Sequence, residues 1–426
     1  MVFIMQNRIV DIIARQILDS RGNPTIETTV YTENAIKGVA SVPSGLSKGS
    51  FEAFELRDNN PKYYRGNSVL KAVLNINDCI SRSIIGQNVF NQYQIDNIMI
   101  ELDSSKNKRN LGANSILSVS LACARAASNS LDIPLFRYIG GIYSHVMPIP
   151  MINVLNGGVH SDNGLDFQEF MIVPFCFNSF SDAISASNDV YYKLKEILQK
   201  KGYTTSVGDE GGFSPDIDSN ELALELLTEA IIQADYDTDK FKIAVDLAST
   251  QFYSEGYYNL EGQNLYLNSS EFCNYLVSLT QKFPIISLED SMAENDIEGW
   301  KMISEALNEK MMIISDDLTV TDYEKINNIK SDRIANSILI KPNQTGTLTE
   351  TLKAIEIAKN NNYKVIISNR SGETADTFIS DLAVGVNSGF IKTGSLSRSE
   401  RTEKYNRLLK IESELKNNSL FNQIKL

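Results

Sequence analysis

Six apolar runs in the second half of this chain each end on a charged residue, with long helical patterns between them. Residues 242–245 close on Asp246, 284–288 on Glu289, and 311–315 on Asp316. Residues 337–340 close on Lys341, 365–369 on Arg370, and 390–391 on Lys392. Apolar runs of this length read as buried strands, and helical periodicity fits residues 181–201, 219–234, 269–283, 300–308, 347–361 and 398–416. Strand–helix alternation over roughly 280 residues suits a closed parallel barrel, a fold that takes about 250. Barrel enzymes build their sites where the strands end at their carboxyl termini. A single charge at such a place reads as a loop residue meeting solvent. Six in succession, three acids and then three bases, read as a site.

The chemistry follows from the order. Neighbouring strands lie about 4.8 Å apart, so Asp246, Glu289 and Asp316 converge and repel one another. A hard divalent cation resolves that repulsion, and a donor set of oxygens without Cys or His favours Mg²⁺ or Mn²⁺. Lys341, Arg370 and Lys392 then face the acids, leaving room between for a small anionic substrate.

The 426 residues exceed what one core usually organises, roughly 250–300. Residues 8–18, 25–31 and 37–42 read as three strands joined by short turns, an antiparallel meander with Ile26, Thr28 and Val30 on one face. Helical patterns follow at 69–85 and 113–127. Pro148 and Pro150 mark a junction. The expected fold class is therefore α/β: a (β/α)8-type barrel over residues 143–426, preceded by an α+β domain over residues 1–142.

The net charge of −13 and the lack of a strongly basic tract disfavour nucleic acid as a partner. No apolar run approaches the roughly 18 residues of a membrane span, and residues 1–5 lack the features of a signal peptide. The four cysteines, Cys79, Cys123, Cys176 and Cys273, are widely spaced, which fits free thiols in a reducing cytoplasm.

Three glycine-rich stretches add candidates. Residues 44–50, with Gly45 and Gly49, have the composition of a mobile loop. Residues 207–213 set Asp209 and Glu210 among glycines, and residues 156–160 end on His160, one of two histidines. His145, near the domain junction, reads as structural. Gly-Asp-Glu-Gly-Gly alone is also an ordinary surface turn.

Together these segments resemble the enolase family along essentially the whole chain. The likeness runs from Leu18-Asp19-Ser20-Arg21-Gly22-Asn23-Pro24-Thr25 and Pro43-Ser44-Gly45 through Asn156-Gly157-Gly158, Gln168-Glu169-Phe170-Met171 and Gly208-Asp209-Glu210-Gly211-Gly212. It ends with Ser371-Gly372-Glu373-Thr374 and Ile391-Lys392-Thr393-Gly394-Ser395. The resemblance implies a lyase that interconverts 2-phosphoglycerate and phosphoenolpyruvate with two Mg²⁺ ions. It implies a barrel with an irregular start and, usually, a homodimer. On it, Asp246, Glu289 and Asp316 match the ligands of the tighter Mg²⁺, and Ser47 a ligand of the second. Lys341 matches the base at C2, Glu210 the acid at the C3 hydroxyl, and Glu169 its partner. Arg370 and Ser371 match phosphate-binding residues, Lys392 a lysine near the substrate carboxylate, and His160 a loop histidine closing over the phosphate. Gln168 belongs to the substrate-binding set. On this reading Lys392, Arg370 and the metals lower the pKa of Lys341, and like-charge repulsion from Glu169 raises that of Glu210.

The chain departs from the family in places. Asn369 stands where His is usual, and Asn cannot titrate. Lys48 replaces a usual Thr beside Ser47, and Leu46, Leu247 and Gln251 also differ. These changes leave open a divergent paralogue acting on a related phospho- or phosphonate acid, and a non-catalytic surface or binding role.

Overall fold

The computed structural model describes residues 7–45 and 49–421. Leu46, Ser47 and Lys48 lie outside the described residues, and with them the expected ligand of the second Mg²⁺.

The chain opens on an antiparallel sheet, β1 (Ile9–Leu18), β2 (Pro24–Thr32) and β3 (Lys37–Ser41), in that order. The β1–β2 turn forms because Asp19 accepts from the amides of Arg21 and Asn23 at 2.9 and 2.8 Å, with Gly22 at φ 72°. Ile26, Thr28 and Val30 are fully buried, as their alternation required. They meet the helix Ala113–Ser130, where Thr28 and Ser118 exchange a hydrogen bond of 2.8 Å. The helical pattern at 69–85 is a single run, Leu70–Leu74, Asn75–Ile80 and Ser81–Ile84, whose middle section has π geometry. The helices Gln92–Asp103 and Leu135–Gly140 complete this part.

Eight strands then close a barrel. Two come first, β4 (Ile149–Asn156) and β5 (Glu169–Pro174), followed by β6 (Phe241–Asp246). A small antiparallel sheet, β7 (Tyr253–Ser254), β8 (Tyr257–Leu260) and β9 (Leu265–Asn268), stands apart. The barrel resumes with β10 (Ile285–Glu289), β11 (Met312–Ser315), β12 (Ser337–Ile340), β13 (Lys364–Ser368) and β14 (Gly389–Lys392). Side chains fill its interior in layers, among them Met151, Met171, Ile286, Leu339, Ile366 and Phe390. The fold is α/β, as expected.

The expectation of an all-parallel barrel needs one correction. β5 runs antiparallel to both β4 and β6, while every other neighbouring pair is parallel. Between β4 and β5 the chain forms no crossover helix, only the short turn Gly158–His160, so it returns as a hairpin. The reversal matters for the site. Glu169 begins β5 and pairs in register with Asn156 and Asp246, which end β4 and β6. A strand pointing the wrong way thus presents its first residue where its neighbours present their last.

The helices between strands fall within three residues of the expected bounds, for example Phe180–Lys200 and Leu348–Asn360. Three others, Tyr323–Ser331, Phe378–Gly385 and the single turn Pro342–Thr345, lie outside the expected set. The second is buried on all sides and shows no amphipathic period. No helix of the described residues is long and apolar enough to cross a membrane.

Candidate active site

The charged strand ends meet at one mouth of the barrel. Asp246 and Glu289 are register partners at the tips of β6 and β10. Asp316 follows β11, and its amide donates to Asp290 at 2.9 Å while that of Asp317 donates at 3.0 Å. Asp290 therefore fixes the turn that aims Asp316. Lys341 follows β12, and its amide donates to Thr321 at 2.9 Å. The next residue, Pro342, opens the short helix Pro342–Thr345, a position where a missing N–H costs nothing.

The bases do more than face the acids; they are paired with them. Lys392 Nζ lies 2.8 Å from Asp246 Oδ2, 2.9 Å from Glu289 Oε1 and 3.1 Å from Glu169 Oε2. Lys341 Nζ bonds Asp316. Gln168 donates to Asp246 at 3.1 Å, and Gln344 to Asp316 at 2.9 Å. Arg370 turns toward the amino-terminal part, where its fork holds Glu52 at 2.8 and 3.0 Å, and it also reaches Asn343 at 3.1 Å. Asp246, Glu289, Asp316, Glu169, Arg370 and Lys392 are buried, and Lys341 and Glu52 are partly buried.

A second cluster adjoins the first. His160 Nδ1 lies 3.3 Å from Glu169 Oε1, and ligand atoms of His160, Glu169 and Glu210 lie within 4.8 Å of one another. Glu210 is carried by a loop that only glycine permits. A Cβ on Gly208 would come within 2.8 Å of the His160 carbonyl, one on Gly212 within 2.7 Å of Asn153, and Gly211 has φ 85°. Asn369 donates to Glu210 Oε2 at 2.8 Å, and Arg401 approaches the same oxygen at 3.4 Å. Arg401 is completely buried and donates to the carbonyls of Arg370 and Ser371 at 2.6 Å each, fastening the Glu210 loop to the tip of β13.

Among the protein's own charges, the protonation pattern runs opposite to two expectations. Burial disfavours the Glu210 carboxylate, but Arg401, His160 and the Asn369 amide outweigh it, so its pKa lies below the usual range rather than above. Burial also disfavours the Lys341 ammonium, yet Asp316 holds its proton and raises its pKa, against the push of Arg370 and Lys392. Lys392 is raised further still, because three carboxylates overcome its burial. His160 is raised in the same way by Glu169 and then Glu210. Glu289 is pushed well above the usual range by burial and by Asp246, with Asp316 adding to the push.

That last shift tests the donor set for a metal. Three buried carboxylates, close enough for two to hold a proton on the third, call for more positive charge than Lys341 and Lys392 supply. Asp246, Glu289 and Asp316 offer oxygen only, which fits a hard divalent cation. Asp290, Asp316 and Asp317 form a further acidic cluster whose ligand atoms lie within 4.8 Å of one another. Burial and Asp316 push Asp317 up to about 7.

The structure therefore gathers Asp246, Glu289, Asp316, Lys341, Lys392, Gln168, Glu169, His160, Glu210, Arg370 and Ser371 around one barrel mouth. Reading the sequence missed Glu52, Gln344, Arg401 and the doubled acids Asp290 and Asp317. The doublets Glu289-Asp290 and Asp316-Asp317 were visible as repeated acids at strand ends. Gln344 and Arg401 sit within helices and carried no local signal.

Comparison with protein families agrees with this arrangement. The model described as "Enolase, N-terminal domain" matches residues 9–139. The model described as "Enolase, C-terminal TIM barrel domain" matches residues 144–426. Barrel, amino-terminal sheet and helices, and the two matches in succession, lead to one assignment: the chain belongs to the enolase family.

Proposed function

We propose that this protein reversibly dehydrates 2-phospho-D-glycerate to phosphoenolpyruvate, as the phosphopyruvate hydratase of glycolysis and gluconeogenesis. The observation that carries the reading is the buried mouth where the Asp246–Glu289–Asp316 trio adjoins two lysines and a separate Glu169–Glu210–His160 group. One end of such a site suits a substrate carboxylate and the other a departing hydroxyl.

Asp246, Glu289 and Asp316 would hold one Mg²⁺, and Ser47 would contribute to a second. Bound there, magnesium supplies positive charge for a carboxylate whose α-proton is being removed. Lys341 takes the proton from C2 once it has released its own, which Asp316 holds; positive charge on Asp316 would favour that release. A proton beside a carboxylate is very weakly acidic, so the surrounding positive charge of Lys392 lowers the cost of removing it. Glu210, which Arg401 and His160 keep ionised, would take up a proton when the anionic substrate adds its negative charge and give it to the C3 hydroxyl from the opposite side, as an anti elimination requires, with Glu169 as its partner. Arg370 and Ser371 bind the phosphate. For this the Arg370 fork must exchange Glu52 for phosphate oxygens, which it matches equally well. His160 closes over the phosphate, and Gln168 orients the ligand beside Asp246. We place the domain division between residues 142 and 143, and take the active form to be a cytoplasmic homodimer.

Absorbance of phosphoenolpyruvate, followed on 2-phosphoglycerate with Mg²⁺ and with chelator, tests the reading. Turnover that depends on Mg²⁺ is expected. Binding of 2-phosphoglycerate without turnover at saturating Mg²⁺ would favour a second reading, a related phospho- or phosphonate acid. The observation behind that alternative is Asn369, which places an amide rather than an ionisable ring on Glu210.

A further inference from the structure

Beside the barrel mouth lies a cleft whose cations the chemistry above does not use. It has a volume of about 440 Å³ and runs between residues 50–53 and 106–109 on one side and 320–325 and 344–350 on the other. That is within the roughly 300–1,000 Å³ of small-molecule pockets. In a chain of net charge −13, its walls carry Lys106, Lys108, Arg109 and Lys325. Three carboxylates also line it, but each is engaged. Glu350 pairs with Lys108 at 2.9 Å, and Glu52 with Arg370 at 2.8 Å. Asp322 caps the helix Tyr323–Ser331 through the amides of Glu324 and Lys325 at 2.8 and 3.1 Å.

The remaining three cations are differently placed. Among the described residues, no carboxylate lies within ion-pair distance of Lys106, Arg109 or Lys325. Lys325 instead sits 3.5 Å from the centre of the Phe51 ring, and Arg109 lies 5.9 Å from that of Phe54. An aromatic face holds a cation without neutralising it. Burial makes the Lys325 ammonium easier to deprotonate; Asp322 and Glu294 oppose this, while Lys106 adds its repulsion. Three unneutralised cations around one cavity, in an acidic protein, make a local positive field that an anion relieves.

We propose that this cleft is a second anion site, which takes a small molecule bearing two or more linked phosphate groups on Lys106, Arg109 and Lys325. Linked phosphates offer the planar Arg109 fork a pair of oxygens and each lysine a separate charge. The site abuts the barrel mouth through Glu52 and Gln344, while its three cations stand outside that mouth. The Ala53 amide donates to the Gln344 carbonyl at 2.9 Å, and the Gln344 side chain holds Asp316. An anion in the cleft would therefore bridge residues 106–109 and the helix Tyr323–Ser331 that carries Lys325.

Calorimetric titration of inorganic tripolyphosphate into the full chain, with chelator present, tests the proposal. Arg370→Lys keeps the charge against Glu52 but removes the fork at the barrel mouth, and binding in the cleft should survive it. The double variant Lys106→Ala/Lys325→Ala should bind at least about 10-fold more weakly, since each lost charge-assisted contact counts for that order. The same variant should melt as the wild type does and keep its activity. ATP run in parallel separates the sources: equal affinity assigns recognition to the phosphates, and tighter binding adds a base against Phe51 or Tyr323. Tripolyphosphate binding that is lost in Arg370→Lys and intact in the double variant would place all of it at the barrel mouth and overturn the proposal, while leaving the phosphate role of Arg370 standing. No binding to the wild type overturns it outright.

Discussion

Asn369 shows how one residue resets its neighbours. Its amide donates to Glu210, and Arg401 approaches the same carboxylate oxygen. Glu210 is thus held in one orientation by two donors, with His160 as the titrating neighbour. Asn369→Leu removes a hydrogen bond to a charged group, which counts for about 1.5–3 kcal/mol. The expected outcome is a fall in kcat/KM of about 10- to 100-fold at constant fold, measured by phosphoenolpyruvate absorbance. A variant as active as the wild type would leave Arg401 as the sole anchor of Glu210. The sequence announced Asn369 only as a departure from the family. That it grips Glu210 across 159 positions of sequence is a tertiary fact, and no periodicity encodes it.

Among elements, strand ends were legible and strand direction was not. Runs such as 337–340 are buried on every side, so their apolar character marks a strand and its last charged residue marks the exit. The same character is blind to orientation, which is why β5 emerged reversed. The hairpin strands β7 to β9 went unread because their tyrosines and asparagines alternate too briefly to register. Gly38 in β3 carried no signal in the sequence, and only the packing shows why it is glycine. A Cβ there would stand 2.1 Å from the Ala122 carbonyl and 2.2 Å from the Ala126 amide, so glycine alone lets the sheet lie against the helix Ala113–Ser130. Gly38→Ala forces backbone apart from backbone, and overpacking of this kind costs typically about 1–3 kcal/mol. Urea unfolding should show a lower midpoint for that variant. An unchanged midpoint would mean that the helix can shift away freely.

At the scale of the molecule, one segment joins the two parts of the chain and also carries the phosphate-binding candidates. Gly372 exchanges backbone hydrogen bonds with Ser44, each of 2.8 Å, and the Ser20 amide donates to the Glu373 carbonyl at 2.8 Å. Asp376 receives Arg125 Nη2 at 2.7 Å and the Ser41 amide at 2.9 Å. Docking the amino-terminal sheet therefore sets the backbone that holds Arg370 and Ser371. Arg125→Ala strands a buried carboxylate, and loss of one partner of such a pair costs about 3–5 kcal/mol. Burial opposes the Asp376 charge, but Arg125 prevails and its pKa is lowered in the folded protein. A carboxylate lowered on folding stabilises above its unfolded value of about 3.9, and that contribution is lost as pH falls through the folded value. The stability gap between wild type and Asp376→Asn should accordingly be widest near neutrality and close in acid; a gap independent of pH would contradict the pairing. In the proposed reaction, Lys341 and Glu210 divide the two proton transfers of one dehydration. Exchange of the C2 proton of 2-phosphoglycerate with deuterated water, measured beside dehydration with Mg²⁺ present, tests it most directly. Lys341→Ala should lose both reactions and Glu210→Gln should keep exchange while losing dehydration; equal loss of both in Glu210→Gln, or exchange surviving in Lys341→Ala, would show that the two residues do not divide the work.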